Sequence, residues 1–409
     1  MDITELFLRY GAEEAPEDVR AVMRLSVLDW AACGIAGAAD GGFAAWARAA
    51  HGEGPCLRFD NALSGPAEAA LVNGTLSHAL DYDDTHFAHI GHPSVVVVSA
   101  ALAAAQAEGA DMACALDAAL AGAEASVAMG LWLGRGHYQI GLHQTATAGA
   151  FGACVAAGRV LALPQAQMRH ALGLVATMAS GLKAQFGTMG KPLNAGLAAR
   201  AGVEAALWAR VGMTGAGQGV QAFGEVFHGA GQDVPFAWRM GQVSHKYHAC
   251  CHGLHAALEA VAGVDLAGAS RIEVFTHPRW MSVCNQPAPD TGLGAKFSYR
   301  HVIAMAAHGH STADITAFTD ACATDPALVS FRDRVHVTPD DSLTEMQARV
   351  ALDGAIHVHD LAAPAAYADR KARVQAKAQA LIGSRAAALW QAIEASDLGA
   401  FVSALQPLQ

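Results

Sequence analysis

The stretch Glu68–Ala105, EAALVNGTLSHALDYDDTHFAHIGHPSVVVVSAALAAA, places a polar segment between two apolar helical runs. The polar segment, Ser77–Ser94, holds three aspartates and four histidines in 18 residues. Asp83 or Asp84 can cap a helix and Pro93 can begin the next one, but capping does not account for so many histidines beside carboxylates. Histidine titrates near neutral pH, and loops on rigid scaffolds often carry catalysis. The segment therefore predicts a functional loop held between two helices.

The composition is that of a large helical protein. The chain has 409 residues, enough for two domains, and alanine supplies much of its 53% hydrophobic content. A net charge of -11 without a basic cluster argues against nucleic acid and anionic membranes as partners. The acidic N-terminus shows no signal peptide. No run qualifies as a membrane span, since Val95–Ala105 is short and Asp117 and Glu124 interrupt the next apolar stretch. We therefore expect a cytoplasmic protein.

The cysteines are scattered along the chain and form no C-x-x-C pair. In a large chain without a secretion signal, this pattern argues against a disulfide framework. It also argues against an iron–sulfur cluster, which needs grouped thiolates. The eight cysteines are Cys33, Cys56, Cys114, Cys154, Cys250, Cys251, Cys284 and Cys322.

Helical periodicity dominates from Ile3 to about Val261. Apolar residues recur there at three- and four-residue spacing, and Gly, Pro and Asp punctuate the pattern. The predicted helices are Glu17–Ile35, Glu68–His78, Ser94–Ala107, Met112–Leu133, Thr145–Leu161, Gln165–Ser180 and Gly196–Val211.

Near Ser270 the pattern changes to the period of two that is typical of strands. The predicted strands are Arg271–Thr276, Arg334–Thr338, Gln347–Leu352 and Ala355–His359, with helices at Ser298–His308 and Ser311–Phe318. Helical texture returns from about Val374. We therefore predict a mainly α protein, in which residues 1–264 and 373–409 form a large all-helical domain and residues 265–372 form a smaller α+β lid domain.

Further polar segments interrupt the helical part. His143 and Gln144 stand just before an Ala/Gly-rich helix, whose N-terminus favours an anion. Lys191 lies between a glycine and a proline, and Lys246 lies in the segment HKYHACCHGLH, which also holds Cys251. The chain has only six lysines, so lysines placed in such segments are candidates for ammonium groups that bind an anionic ligand.

Taken together, these motifs resemble the MmgE/PrpD family, and they occur in the order that the family has. That family includes 2-methylcitrate dehydratase, cis-aconitate decarboxylase and iminodisuccinate epimerase. The resemblance implies a large helical domain with a smaller α+β lid, a homodimer, an active site between the domains, and no metal or organic cofactor. The matching segments are His78–Ser94, Gly141–Ala153, Phe186–Ala206, His245–Ala260 and Asp290–His301.

The resemblance also implies a set of site residues. The positions that match the family's active site are Asp81, Thr85, His92, His143, Lys191 and Lys246. Two residues depart from the pattern: Asn194 stands where the family commonly has histidine in KPLH, and Cys251 stands where the decarboxylases have histidine. The loop from Asp81 to His92 has the length of the epimerase branch rather than that of the decarboxylase branch.

The residue chemistry agrees with a small polycarboxylate substrate. Removing a proton from a carbon beside a carboxylate requires cations and a base with a pKa near neutral. Lys191 and Lys246 can be the cations, and His92 or His143 the base; Asp81 can orient a histidine or act as a base itself. Additional substrate contacts are expected from Thr85, Gln144 and Cys251.

We therefore predict a cofactor-independent lyase of the dehydratase type that acts on a small polycarboxylate. An epimerase of an iminodisuccinate-like dicarboxylate is the alternative, and a non-enzymatic helical scaffold is a third interpretation. A zinc site at His248, His252 and His255, which share one face if they are helical, and a nucleophilic Cys250 or Cys251 are the competing chemistries. We expect no metal.

Overall fold

The computed structural model describes residues 2–50 and 52–406, which fall into two compact units. The first unit comprises the chain up to His245 and from Lys371 onward, and the second comprises Lys246–Arg370. The first unit is helical apart from a small two-stranded sheet, and the second combines helices with a four-stranded sheet. The predicted fold class, mainly α with a smaller α+β part, is confirmed. The two units divide at 245/246 and 370/371, whereas the predicted domain boundaries, 264/265 and 372/373, stay a prediction.

The helices of the first unit begin with residues suited to helix N-termini. Asp2, Asp40 and Asp111 each accept a hydrogen bond from a first-turn N–H, and prolines begin α4 and α5. All seven predicted helices are present, with shifted ends. In chain order they are α1 Ile3–Ala12, α2 Glu17–Gly37, α3 Gly41–Ala49, α4 Pro66–His78, α5 Pro93–Glu108, α6 Met112–Gln139, α7 Gln144–Val160, α8 Gln165–Val175, α9 Gly190–Arg210 and α10 Gly219–Val226; the strands β1 Cys56–Leu57 and β2 Leu63–Ser64 pair in antiparallel fashion.

The second unit is built on a mixed sheet. Its elements are α11 His255–Ala260, β3 Ile272–Thr276, α12 Pro278–Val283, α13 Gly292–Ala295, α14 Tyr299–Ala307, α15 Asp320–Ala323, α16 Pro326–Arg332, β4 Val335–Pro339, β5 Gln347–Leu352 and β6 Ala355–Asp360. The strand order is β4-β3-β5-β6, in which only the β3–β4 pair is parallel. The four predicted strands are therefore confirmed. The chain ends with α17 Tyr367–Ile382, α18 Arg385–Glu394 and α19 Leu398–Leu405.

The helix predicted at Ser311–Phe318 is wrong. This segment contains only a single 3-10 turn, Ile315–Ala317. The Asp314 carboxylate accepts hydrogen bonds from both the N–H and the hydroxyl of Thr316. Such local side-chain bonds compete with a continuous helix, which the apolar spacing alone does not reveal.

The expectation that no run qualifies as a membrane span also needs correction. Helix α6 is long and apolar enough to cross a membrane by length and composition, even though it contains Asp117 and Glu124. In the structure, 83% of its apolar window is buried inside the protein. Glu124 is fully buried and accepts hydrogen bonds from the backbone N–H groups of Arg239 and Met240. The helix is thus a core helix of the first unit.

Glycines let the helices that carry the polar segments approach each other closely. Helix α4 packs on α9 at Gly74 and Gly196. A Cβ atom on Gly196 would lie 2.2 Å from both the carbonyl oxygen of Leu71 and the hydroxyl of Thr75. Because α4 ends at His78 and α9 begins beside Lys191, this contact sets the distance between two of the polar segments.

Substituting Gly196 by alanine is expected to destabilise the protein by about 1–3 kcal/mol, because the added methyl group overpacks the α4–α9 contact. Gly136→Ala in α6 is the matched control, since no atom lies within 4 Å of its Cβ position and alanine favours helix by about 0.5–1 kcal/mol. Denaturant unfolding of both variants measures the difference. Equal stability of the two variants would contradict the packing argument.

Candidate functional site

The polar segment lies between the last turn of α4 and the first turn of α5. His78 is the last residue of α4 and His92 is the N-cap of α5. Asp81 has a left-handed backbone with φ of 50°, which aspartate tolerates better than most residues. This turn brings the aspartates of the loop back towards His92.

A buried carboxylate, Asp83, joins two histidines. Its oxygens lie 2.9 and 3.0 Å from Nδ1 of His78 and 2.8 Å from Nδ1 of His92. Burial alone would raise the pKa of Asp83, but the imidazoles of His78 and His92 lower this pKa well below its usual range. Because an ionised carboxylate only accepts hydrogen bonds, Nδ1 of His78 carries the hydrogen of that bond. The 2.8 Å ion-pair contact of the same carboxylate with Nδ1 of His92 favours the same tautomer there. The second nitrogen of His92, Nε2, is then the one that can take up a proton.

Nε2 of His92 faces a second carboxylate that is paired with a lysine. It lies 3.4 Å from Oδ1 of Asp81, whose Oδ2 is 2.7 Å from Nζ of Lys191. The Asp81 side chain is 37% exposed, whereas that of Lys191 is 15% exposed. The predicted helix began only at Gly196, but α9 begins at Gly190, so Lys191 belongs to its first turn.

His143 is the N-cap of α7 and adjoins the same cluster. Its ring stacks on that of His78 with centroids 6.1 Å apart and meets Phe186 edge-on at 4.9 Å. The Lys191 ammonium lies 5.3 Å from the centre of the Phe186 ring. Burial, reinforced by the neighbouring His78 and Lys191, lowers the pKa of His143 well below its usual value, so that this imidazole stays neutral.

The cluster therefore gathers three helix N-termini. The backbone N–H of His92 donates to the Thr145 hydroxyl at 3.1 Å, which ties the start of α5 to the start of α7. Asn194, in the first turns of α9, bonds to His143. Each of these helices carries a partial positive charge at its N-terminus, and together with Lys191 they make a favourable place for an anion.

Two buried networks of polar side chains, one around Asp84 and one around Lys377, hold the loop in place. Asp84 accepts hydrogen bonds from the hydroxyls of Ser26 at 2.7 Å and Ser94 at 2.5 Å. Burial raises the pKa of Asp84 to about 7 despite these donors. From helix α17, the buried Lys377 pairs with Asp29 at 2.6 Å and donates a hydrogen bond to the Tyr82 carbonyl.

The structure brings some of the predicted site residues together. Asp81, His92 and Lys191 are in contact, and His143 lies beside them. Lys246 and Cys251 belong to the second unit, so their place in the site stays a prediction.

The predicted roles of Thr85 and Gln144 as substrate ligands also stay predictions. The backbone of Thr85 forms an antiparallel bridge with Ser244. Gln144 is fully buried, and its amide donates to the carbonyls of Gly130 and Gly134, beside the break in α6 at Gly134.

The alternative zinc site has a different geometry from the one predicted. His248 precedes the helical residues and bonds to Thr312 and Glu259, whereas α11 begins only at His255. The three histidines of that motif therefore do not share one helical face. Burial also raises the pKa of Cys250, which disfavours its reactive thiolate form.

A different group of ligand atoms is close enough to hold a cation. His78, Asp81, Asp83 and His92 each offer one atom, and these atoms lie within 4.8 Å of one another. Two imidazoles with two carboxylates suit a divalent transition metal. The same atoms, however, already satisfy one another as a hydrogen-bonded His–Asp network.

Sequence reasoning did not select three residues that shape this site: His78, Asp83 and Lys377. Asp83 and His78 both lie in the polar segment. A carboxylate that follows a helix ending in histidine could have predicted that the two side chains pair. Lys377 had no local signal, since nearly 300 residues separate it from Tyr82 and only the fold brings them together.

The fold and the cluster define a two-unit, mainly α protein with a buried His–Asp–Lys site at helix N-termini. The MmgE/PrpD N-terminal domain model matches residues 1–230 and the MmgE/PrpD C-terminal domain model matches residues 248–394. The chain therefore belongs to the MmgE/PrpD family.

Several relatives are cis-aconitate decarboxylases. The Aspergillus terreus enzyme is 29% identical over 284 residues, which cover 62% of this chain and 58% of that protein. The Homo sapiens enzyme is 32% identical over 159 residues, 37% of this chain and 32% of that protein. The Mus musculus enzyme is 28% identical over 269 residues, 58% and 54% of the two chains. The matched part thus spans less than two thirds of the length of these relatives.

Replacing Asp84 by asparagine is expected to change how stability depends on pH. A carboxyl group with a pKa of about 7 in the folded state and about 3.9 in the unfolded state binds more protons when folded, so its contribution falls as pH rises between these values. Asparagine does not titrate, so the variant lacks this pH-dependent contribution to stability. The free energy of unfolding of the wild type, relative to Asp84→Asn, should therefore decrease from pH 5 to pH 7.5, by at most about 1.4 kcal/mol per pH unit.

Urea unfolding of both proteins across this range measures the effect. A constant offset between them reflects the changed hydrogen bonds to Ser26 and Ser94 and has no bearing on the test. A difference that does not vary with pH would show that Asp84 is ionised throughout.

Proposed function

We propose that this protein is a cofactor-independent lyase that acts on a small polycarboxylate by removing a proton from a carbon next to a carboxylate. Within that class we favour elimination of water, as in 2-methylcitrate dehydratase. The observation that carries the proposal is the arrangement around His92, where Nδ1 lies 2.8 Å from a carboxylate oxygen of Asp83 and Nε2 faces the Asp81–Lys191 pair. A base and a cation are thereby held side by side.

His92 is the base in this proposal. Asp83 fixes the tautomer that leaves the Nε2 lone pair available, and it stabilises the imidazolium that forms when the proton arrives. The His92 side chain is mostly buried, with 10% exposed. Its limited exposure keeps bulk water away from the proton transfer while leaving one nitrogen accessible.

Lys191 and the helix N-termini bind the carboxylates. Proton removal converts a carboxylate into a dianionic, enolate-like group, which is very unfavourable in water. The Lys191 ammonium and the first turns of α5, α7 and α9 supply positive charge before the reaction begins. In the absence of substrate Lys191 pairs with Asp81, so a substrate carboxylate competes with Asp81 for the ammonium.

The proposed elimination balances without a redox partner. The C–H electron pair moves into the enolate as the proton goes to Nε2 of His92. The enolate then collapses, the carbon–carbon double bond forms, and the hydroxyl on the adjacent carbon leaves. It departs as water once it has taken up one proton, which His92 can return directly or through Asp81 at 3.4 Å.

Decarboxylation is the second candidate, because the relatives named above are cis-aconitate decarboxylases. Epimerisation is a third, and the loop from Asp81 to His92 favours it by its length. All three reactions need a carboxylate-binding cation and a group that moves a proton at the neighbouring carbon. We extend the proposal to a homodimer in the cytoplasm, on the resemblance and the acidic composition.

Proton NMR of candidate polycarboxylates incubated with the protein in deuterated water tests the proposal. New vinyl signals indicate elimination, loss of a carboxylate as carbon dioxide indicates decarboxylation, and deuterium incorporation with inversion indicates epimerisation. Absence of both turnover and exchange across citrate-like, aconitate-like and iminodisuccinate-like compounds would overturn it.

His92→Ala and Lys191→Ala are expected to impair different steps. Loss of the base should lower turnover by about 10²–10⁴-fold and slow deuterium exchange into the substrate. Loss of the ammonium should weaken binding of polycarboxylates, and should also lower turnover if it stabilises the enolate. Lys191→Arg should restore activity only in part, because a planar guanidinium does not replace a compact charge.

His170→Ala and Lys183→Ala are the matched controls. His170 lies on α8 and hydrogen-bonds to a backbone carbonyl. Lys183 precedes Lys191 in the chain but contacts Tyr138. Steady-state kinetics and exchange are measured on all five variants. Wild-type values for His92→Ala and Lys191→Ala would remove both residues from the site.

Activity is expected to survive removal of metal ions. The network around Asp83 already supplies the base and its orientation, so the proposed chemistry needs no Lewis acid. Elemental analysis of the purified protein, with turnover measured before and after treatment with EDTA, checks this. One metal per chain whose loss abolishes turnover and whose return restores it would instead assign the four donor atoms around Asp83 to a metal centre.

A further inference from the structure

Asn194 is a polar residue of the site to which the proposed mechanism has not yet given a role. It lies one turn after Lys191 in α9 and is 8% exposed. Its amide nitrogen is 3.2 Å from the carbonyl oxygen of Leu182 and 3.3 Å from Nδ1 of His143. The same amide therefore contacts a backbone group and one of the predicted catalytic histidines.

These two contacts determine which way the amide points. A backbone carbonyl oxygen can only accept a hydrogen bond, so the atom facing Leu182 must be the NH₂ group. That NH₂ group has a second hydrogen, and it is directed at Nδ1 of His143. Nδ1 must then act as the acceptor, which means that a neutral His143 carries its hydrogen on Nε2.

His143 and His92 are consequently held in opposite tautomers. Asp83, an acceptor, gives His92 its hydrogen on Nδ1 and a lone pair on Nε2. Asn194, a donor, gives His143 its lone pair on Nδ1 and a hydrogen on Nε2. Across the described chain, no protein group hydrogen-bonds to Nε2 of His143, so this N–H can meet a ligand.

The surroundings favour a neutral His143. The ring is buried, and it stacks on His78 while Phe186 holds the Lys191 ammonium nearby. Each of these features opposes a second positive charge on the imidazole. An imidazole that stays neutral does not serve as the base, but its N–H can donate a hydrogen bond to a substrate oxygen. Neutral histidines act in this way on substrate carbonyl groups in other enzymes.

We infer that Asn194 is a positioning residue that fixes His143 as a neutral Nε2–H donor to the substrate carboxylate, which leaves the base role to His92. This inference rests on the proposed function for its chemistry, and on the hydrogen bonds of Asn194 for its geometry. The His143 N–H would strengthen its hydrogen bond as charge develops on the enolate oxygen, as donors in an oxyanion hole do.

The first test needs no substrate. Long-range proton–nitrogen NMR of protein labelled with ¹⁵N-histidine identifies which ring nitrogen carries the hydrogen, and His143→Gln assigns the signal. We expect an Nε2–H tautomer for His143 in the wild type between pH 6 and 8. In Asn194→Asp, a carboxylate of the same shape accepts from Nδ1, so the tautomer should switch to Nδ1–H.

The second test uses turnover of whichever polycarboxylate the exchange screen identifies. Asn194→Asp should lower kcat by about 10-fold or more and add an ionisation to its pH profile, because the switched imidazole gains an exposed lone pair beside a carboxylate. Asn194→Ala should lower kcat less and leave the shape of the profile unchanged. If Asn194 had only a structural role, Asn194→Asp and Asn194→Ala would not differ in this way in kcat and in the shape of the pH profile.

A third variant tests the role of His143 directly. Glutamine presents an amide N–H close to where the imidazole has Nε2–H, so His143→Gln should retain at least about 10-fold more activity than His143→Ala. His92→Gln should be as inactive as His92→Ala, since an amide cannot take up a proton. Circular dichroism and thermal unfolding confirm that each variant is folded.

An Nδ1–H tautomer of His143 in the wild type overturns the inference, and so does equal activity of His143→Gln and His143→Ala. Unchanged kcat and pH profile in Asn194→Asp also overturns it. If no polycarboxylate is turned over, the proposed function fails, whereas the NMR experiment still decides whether Asn194 sets the tautomer of His143.

Discussion

The buried carboxylate of Asp83 is the constraint on which the site depends. It accepts a hydrogen bond from Nδ1 of His78 at the end of α4 and lies at ion-pair distance from Nδ1 of His92 at the start of α5. Leaving such a charge without partners inside a protein costs several kcal/mol, so the two imidazoles must stay where they are. The loop between the helices is therefore held in place by this buried carboxylate, and Nε2 of His92 faces the Asp81–Lys191 pair.

The remaining site residues depend on how closely the helices pack. Small residues such as Gly74 and Gly196 allow α4 and α9 to approach within backbone contact, which brings Lys191 to Asp81. A buried ion pair between Lys377, in the C-terminal part of the chain, and Asp29 also supports the loop, because Lys377 donates a hydrogen bond to the Tyr82 carbonyl. Rigid packing thus places the groups before any ligand arrives, as electrostatic stabilisation of an enolate requires.

Much of the fold could be read from local patterns. Apolar spacing located the helices, and period-two alternation located all four strands of the second unit, because both patterns reflect burial of one face. The failure at Ser311–Phe318 had a local cause, since Asp314 bonds Thr316 and ends the turn. The polar loop could also be recognised from the sequence, because its many histidines and carboxylates lie between two apolar helices and exceed what helix capping requires.

By itself, the sequence determined the helical framework, the polar loop and the chemical character of its residues. It left open whether His92 or His143 is the base, since both are histidines at a helix start. Only the tertiary structure decided which partner each ring meets: an acceptor, Asp83, for one and a donor, Asn194, for the other. The reason is physical, because a tautomer depends on the hydrogen-bond partner at a few ångströms, and that partner is a product of the packing of distant helices.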